Sequence, residues 1–203
     1  MIIKVCGMRE EANVREVEQL GADWMGFIFY PKSPRYVGEM LPYIPESVKR
    51  VGVFVNEDTD RLLALAEKNR LEILQLHGEE SPDDCKALQK KGFIVIKAFG
   101  IATEKPFPSE LAGRYEGYCD YFLFDTRTAL YGGSGTKFGW EMLSDYRGGT
   151  PFLLSGGISP EDAAAVKAFL HPQCIGIDLN SGFEISPALK NVQSLQMFIG
   201  LFR

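Results

Sequence analysis

Residues 153–166, LLSGGISPEDAAAV, hold a complete structural step in one short stretch. An apolar run ends at Ser155, two glycines turn the chain, and a Ser-Pro-Glu-Asp entry opens an alanine-rich segment. Serine caps the exposed N–H groups of a helix start, and proline is tolerated at the first helical position. The order strand, glycine turn, helix is that of a βα unit, in which the strand pairs with parallel neighbours.

The same step recurs along the chain. Strand-like apolar runs lie at 2–6 (IIKVC), 24–30 (WMGFIFY), 50–55 (RVGVFV), 72–77 (EILQLH), 93–99 (FIVIKAF), 121–125 (YFLFD), 151–155 (PFLLS) and 174–179 (CIGIDL). Between them, EEANVREVEQLGAD carries Val14, Val17 and Leu20 at helical spacing and stops at Gly21, DTDRLLALAEKNR opens with Asp and Thr, and SPDDCKALQKKG repeats the Ser-Pro entry. The segments 38–46 and 105–116 contain prolines that permit only short or irregular helices. Strands that are apolar throughout and alternate with helices are parallel and buried on both faces. Eight of them predict a single-domain (β/α)8 barrel, the TIM barrel of the α/β class, over residues 1–203. An open doubly wound sheet is the rival, but the G-x-G-x-x-G turn it carries after its first strand is absent.

Composition narrows the function. With 203 residues, 45% hydrophobic and 24% charged, the chain reads as one globular core. Its net charge of −5 disfavours nucleic acid and anionic membranes as partners, and an anionic ligand would need positive potential supplied locally. No apolar run is long enough to span a bilayer, and the start MIIKV lacks a secretory signal, so a cytoplasmic protein is expected. Cys6, Cys85, Cys119 and Cys174 show no C-x-x-C spacing, and with only His77 and His171 available no metal cluster is expected.

In such barrels the chemistry sits at the C-terminal ends of the strands. That rule selects Cys6, Arg35, Asn56, His77, Lys97, Asp125, the Ser155-Gly156-Gly157 turn, and Asp178 to Gly182. Two small-residue loops, at Gly156 and Gly157 and at Asn180, Ser181 and Gly182, follow strands 7 and 8, where barrels of this class bind phosphate through backbone N–H groups. A third loop, with Gly133, Ser134 and Gly135, either closes over the phosphate or is a plain connection; its composition does not distinguish these. A cysteine at a strand end is ordinarily a small buried hydrophobe. Here Cys6 and Asp125 would flank a ligand anchored between them, one base and one acid acting on different parts of a phosphosugar.

The sequence resembles the phosphoribosylanthranilate isomerases of tryptophan biosynthesis. The resemblance runs through KVCGM, LGADWMGFIFYPKSPRYV, VGVFVNE, LQLHGEES, IKAF, FDTRTALYGGSGTKFGW, LLSGGISPEDA and GIDLNSGFE, in that order. It implies a cofactor-free Amadori rearrangement: Asp125 as general acid on the ring oxygen, Cys6 as general base at C2′, Arg35 as receptor of the anthranilate carboxylate, and the glycine loops as phosphate site. It also implies a small-molecule phosphosugar as partner and a monomer or homodimer, with the apolar residues Leu195, Phe198, Ile199 and Phe202 of the last helix facing the core or a second subunit. Arg9, Asn13 and Gly139 depart from the family pattern, and Gly139 puts the start of the sixth helix in question. His77 is expected to line the site, Lys97 to form an ion pair or wall, Asp178 to act behind Asp125, and Cys85, Cys119 and Cys174 to be structural. The competing functions are another phosphosugar isomerase, of the histidine-pathway aminoaldose type, and a non-catalytic phosphometabolite-binding barrel; Cys6 in place of a carboxylate weighs against the first.

Overall fold

The structure is a computed structural model that describes residues 1–102, 107–126 and 139–203. Eight parallel strands close into a barrel in sequence order: β1 (Ile2–Val5), β2 (Trp24–Ile28), β3 (Lys49–Phe54), β4 (Ile73–Leu76), β5 (Ile94–Ile101), β6 (Tyr121–Thr126), β7 (Phe152–Leu154) and β8 (Cys174–Leu179). Pairing of β1 with β8, Ile2 opposite Gly176 and Lys4 opposite Asp178, completes the ring and leaves the barrel without an exposed edge.

Strand alternation divides the apolar residues into two cores. Inside the barrel, Trp24, Val51, Ile73, Ile96, Leu123 and Leu153 form a plug. Outward residues such as Phe27, Phe54, Leu74, Phe122, Phe124, Phe152 and Leu179 pack under the helices. Full burial of such side chains contributes about 1.5–3 kcal/mol each. On the β5 to β7 side this outer core is aromatic: Phe124 touches the rings of Phe99, Phe107, Tyr146 and Phe152.

The helices are α1 (Glu11–Glu18), α2 (Thr59–Lys68), α3 (Pro82–Lys90), α4 (Ser109–Gly113), α5 (Ala163–Ala168) and α6 (Val192–Gly200). Asp58 caps α2 by accepting from the N–H groups of Asp60 and Arg61, and Ser81 with Asp84 forms a capping box on α3. The expected Ser-Pro start at Ser159 also makes a capping box, but its first turn, Pro160–Asp162, is a 3-10 turn that passes into the short α5. Between β2 and β3 no helix forms. Pro42 and Pro45 interrupt that connection, and two side chains hold it: Asn69 accepts from Leu41 N–H at 2.7 Å, while Glu18 accepts from the N–H groups of Glu46 and Ser47 at 2.6 and 2.8 Å. The connection before β7 contains a 3-10 turn, Trp140–Asp145; Gly139 stands at its N-cap without a side-chain cap, as its composition predicts. Leu195, Phe198 and Ile199 of α6 are buried, and Phe202 packs on Phe198 at 5.0 Å between ring centroids.

Candidate active site

Side chains that follow the apolar plug towards the C-terminal ends of the strands turn polar. On β1 the inward sequence is Ile2, Lys4, Cys6; on β4 it is Ile73, Gln75, His77. One pocket opens above them, lined by Cys6, His77, Asp125 and Ser155, with Ile28 and Val53 as an apolar wall.

Cys6 is 3% exposed, and its N–H donates to Leu179 O at 2.8 Å, so the end of β1 is fixed to β8. Gly26 on the neighbouring strand makes room for the thiol: a Cβ there would lie 2.6 Å from Cys6 Sγ. A glycine inside a strand marks a close approach of this kind, a signal present in WMGFIFY. Beneath the thiol, Lys4 is fully buried and its ammonium pairs with Asp178 Oδ1 at 2.7 Å. Burial pushes the Cys6 thiol up, Lys4 pulls it down and Asp178 pushes it up again; the outcome is above the ordinary thiol range. For Lys4, burial opposes the charge, but Asp178 and Cys6 hold its pKa above the usual lysine value.

Asp125, at the end of β6, faces this group from across the pocket. The Ser155 hydroxyl lies between two carboxylates, 3.4 Å from Asp125 Oδ1 and 3.3 Å from Asp178 Oδ2. His77 Nε2 is 3.8 Å from Asp125 Oδ2, and the Gln75 amide nitrogen donates to His77 Nδ1 at 3.0 Å. With Nδ1 accepting, the ring proton lies on Nε2, towards Asp125. Burial, and then the charge of Lys4, lower the His77 pKa to about 4, so the imidazole is neutral at physiological pH.

The two small-residue loops after β7 and β8 meet. Gly182 stands so close to the preceding loop that a Cβ would lie 2.2 Å from Ile158 O. Gly156 and Gly157 have φ of +91° and +71°, values that favour glycine. Their N–H groups and that of Ile158 donate to no protein acceptor among the described residues, which leaves a row of donors beside Gly157, Asn180, Ser181 and Gly182 in the pocket wall. Gly133, Ser134 and Gly135 lie outside the described residues.

Arg35 is 5% exposed, not a surface arginine, and it sits behind the pocket rim rather than in its lining. Its Nε and Nη2 donate to Glu184 Oε1 and Oε2 at 2.8 and 2.6 Å. Lys97 lies outside the barrel. Its neighbours Ile96 and Ala98 point into the plug, so alternation sends Lys97 outward, where Nζ donates to Glu80 Oε2 at 2.8 Å and to Gly78 O at 2.6 Å. It is therefore an ion pair away from the pocket. Cys85 and Cys119 are buried, their thiols pushed up by burial, to about 12 for Cys85. All four cysteines are free. Among the described residues no group of three or more His, Cys, Asp or Glu is placed to hold a metal. Sequence reading did not find Lys4, Gln75 or Glu184; Lys4 was detectable as a charged residue in an otherwise apolar strand two places before Cys6.

The family model described as N-(5'phosphoribosyl)anthranilate (PRA) isomerase matches residues 3–200. An N-(5'-phosphoribosyl)anthranilate isomerase of Phocaeicola vulgatus is 55% identical over 199 residues, covering 98% of this chain and 96% of the relative. That of Thermotoga maritima is 37% identical over 203 residues, covering 97% and 96%. Among solved structures, the phosphoribosyl anthranilate isomerase of Thermus thermophilus superposes with a TM-score of 0.83 at 30% identity, covering 100% of this chain and 98% of that one. A phosphoribosyl anthranilate isomerase in complex with reduced 1-(o-carboxyphenylamino)-1-deoxyribulose 5-phosphate superposes with a TM-score of 0.78 at 32% identity, covering 98% and 97%.

Proposed function

The chain belongs to the N-(5'-phosphoribosyl)anthranilate isomerase family, and from that premise we propose that Cys6 and Asp125 are the base and acid of its isomerisation. The reaction converts N-(5'-phosphoribosyl)anthranilate to 1-(2-carboxyphenylamino)-1-deoxyribulose 5-phosphate, a step of tryptophan biosynthesis. The observation that carries the assignment is the convergence of Cys6, Asp125 and both phosphate loops on one pocket.

The productive state holds a proton on Asp125 and none on Cys6. Asp125 protonates the ring oxygen as the C1′–O bond breaks, and the nitrogen lone pair forms an iminium. Cys6 takes the C2′ proton; the C–H electrons form the C1′–C2′ double bond and neutralise the nitrogen. The resulting enol loses its O2′ proton and gains one at C1′, giving the ketone. No cofactor enters, because the iminium is the electron sink. After turnover the proton is on Cys6, and exchange through the pocket mouth restores Asp125.

Two features support these roles. The Ser155 hydroxyl lies within hydrogen-bond reach of both carboxylates and links Asp125 to Asp178. Asp178 has the Lys4 ammonium as its partner at 2.7 Å, whereas Asp125 lies in the pocket lining, where its carboxyl can reach a substrate oxygen. Burial keeps Cys6 a weak acid, hence a strong base once ionised, and the Lys4 ammonium stabilises the thiolate of the productive state. The phosphate is held by the N–H groups of Gly156, Gly157 and the Asn180-Ser181-Gly182 turn. Arg35 receives the anthranilate carboxylate, and the two parallel hydrogen bonds of a guanidinium orient the ring.

Residues 1–203 act as one barrel domain in the cytoplasm, as a monomer or homodimer; a dimeric relative exists in Thermotoga maritima. Among the described residues no helix is long and apolar enough to cross a membrane. The test is loss of substrate fluorescence when the protein meets phosphoribosylanthranilate generated in situ. Turnover is expected; binding of the reduced product with no turnover would instead mark a phosphometabolite-binding barrel.

A further inference from the structure

We propose that Glu184 is a positioning residue for Arg35: it takes the Nε/Nη2 edge of the guanidinium and thereby presents the Nη1/Nη2 edge to the carboxylate of the substrate's aromatic ring. This rests on Arg35 being the receptor of that carboxylate.

A guanidinium has five N–H donors in a rigid plane. Glu184 engages two of them, at 2.8 and 2.6 Å, and no acceptor among the described residues engages Nη1. Pairing along one edge fixes both the plane and the direction of the other. Both partners are buried, with 6% and 5% of their side chains exposed, so the orientation is not averaged by solvent.

Glu184 is itself anchored. Lys190 Nζ donates to its Oε1 at 2.7 Å and to Asn180 Oδ1 at 2.8 Å, and Ala188 N–H donates to Oε1 at 3.1 Å. These residues form a small hairpin after β8, Glu184–Ser186 against Leu189–Lys190, and Asn13 of α1 ties it down by bonding both the N–H and the carbonyl of Lys190. Two basic side chains, Arg35 and Lys190, meet one carboxylate in this cluster; burial lowers the Lys190 pKa, and Glu184 opposes that shift.

The cluster lies on the correct side of the pocket. Arg35 N–H donates to Ser33 Oγ at 3.1 Å, and Ser33 and Asn180 both line the pocket. Gly7, next to Cys6, has φ of +76°, and a Cβ there would lie 2.7 Å from both Arg35 Cδ and Asn180 Oδ1. The aromatic ring of the substrate is attached through nitrogen to C1′, adjacent to the C2′ atom assigned to Cys6. A receptor for the ring carboxylate belongs beside that base.

The experiment compares wild type, Glu184→Gln, Glu184→Asp and Arg35→Met, with KM and kcat on phosphoribosylanthranilate and Kd for the reduced product and for its analogue without the ring carboxyl. Glu184→Gln should raise KM and the Kd of the carboxylate ligand at least about tenfold while changing kcat less than about threefold. Its affinity for the decarboxylated analogue should stay unchanged. Glu184→Asp keeps the charge but withdraws it by one methylene, and it should shift the same constants in the same direction even if the Gln variant fails to fold. Equal weakening of both ligands would reduce Glu184 to a scaffold residue, and tighter binding of the carboxylate ligand would make it a competitor for Arg35; either result overturns the proposal. If Arg35→Met keeps full discrimination between the two ligands, the carboxylate reading of Arg35 itself fails, whatever the Glu184 variants do.

Discussion

The floor and the mouth of the barrel interior are built from the same strands and differ only in depth. At the floor, Trp24, Ile73, Ile96 and Leu153 fill the space with apolar volume. At the mouth the same strands or their neighbours present Cys6, His77, Asp125 and Ser155, with Lys4, Gln75 and Asp178 just beneath. Burial stabilises the floor outright. At the mouth, burial costs free energy unless each charge is paired, and it shifts the pKa of whatever remains. Stability and chemistry are therefore separable along the barrel axis, and substitutions at the two levels should leave different signatures.

Lys4 joins the two levels, so its loss should be the most damaging single change. Lys4→Met leaves the Asp178 carboxylate buried and uncompensated, a cost of about 3–5 kcal/mol in urea unfolding, and it removes the cation beside Cys6. Turnover should fall together with stability. Leu153→Ala acts on the floor alone: a loss of about 3 kcal/mol, seen as a melting temperature lower by roughly 6–12 °C, with KM and kcat of the folded enzyme within twofold. A large kcat effect there would break the separation. Gly26→Ala acts on the mouth alone. Its Cβ would displace Cys6 Sγ, so kcat should drop by up to about a hundredfold with a smaller effect on melting.

The smallest effect concerns pH. His77 titrates at about 4 in the folded protein against an ordinary value of 6.5, so below 6.5 the unfolded chain binds the extra proton first. Stability should fall as pH drops from 6.5 towards 4, and His77→Gln should flatten that slope in urea unfolding measured at pH 4.5 and 7. An unchanged slope would mean that burial does not hold the imidazole neutral.

The barrel itself was legible because each strand is a short apolar run bounded by glycine, proline or a helix cap, and the observed strands begin or end within about two residues of those runs. The connection between β2 and β3 was harder to read, since its shape depends on Asn69 and Glu18, side chains remote in sequence. Position along the strands was enough to select residues that the fold brings to one pocket, as for Cys6, Asp125 and the glycine turns. The site was not legible where partners decide the role. Lys97 stands near the end of its apolar run much as His77 does, yet it lies within β5, and the side-chain alternation fixed by Ile96 and Ala98 turns it away from the pocket. Glu184 reads as a polar loop residue until the fold brings Arg35, 149 positions earlier, against it.

The central claim is that the polar mouth sets one base and one acid on the same substrate. It is tested most directly by kcat for Cys6→Ala and Asp125→Asn beside wild type, with Kd for the reduced product measured on each. Both variants should lose about 10²–10⁴-fold in kcat and keep the ligand affinity within a few-fold. Turnover by Cys6→Ala within tenfold of wild type would contradict the account.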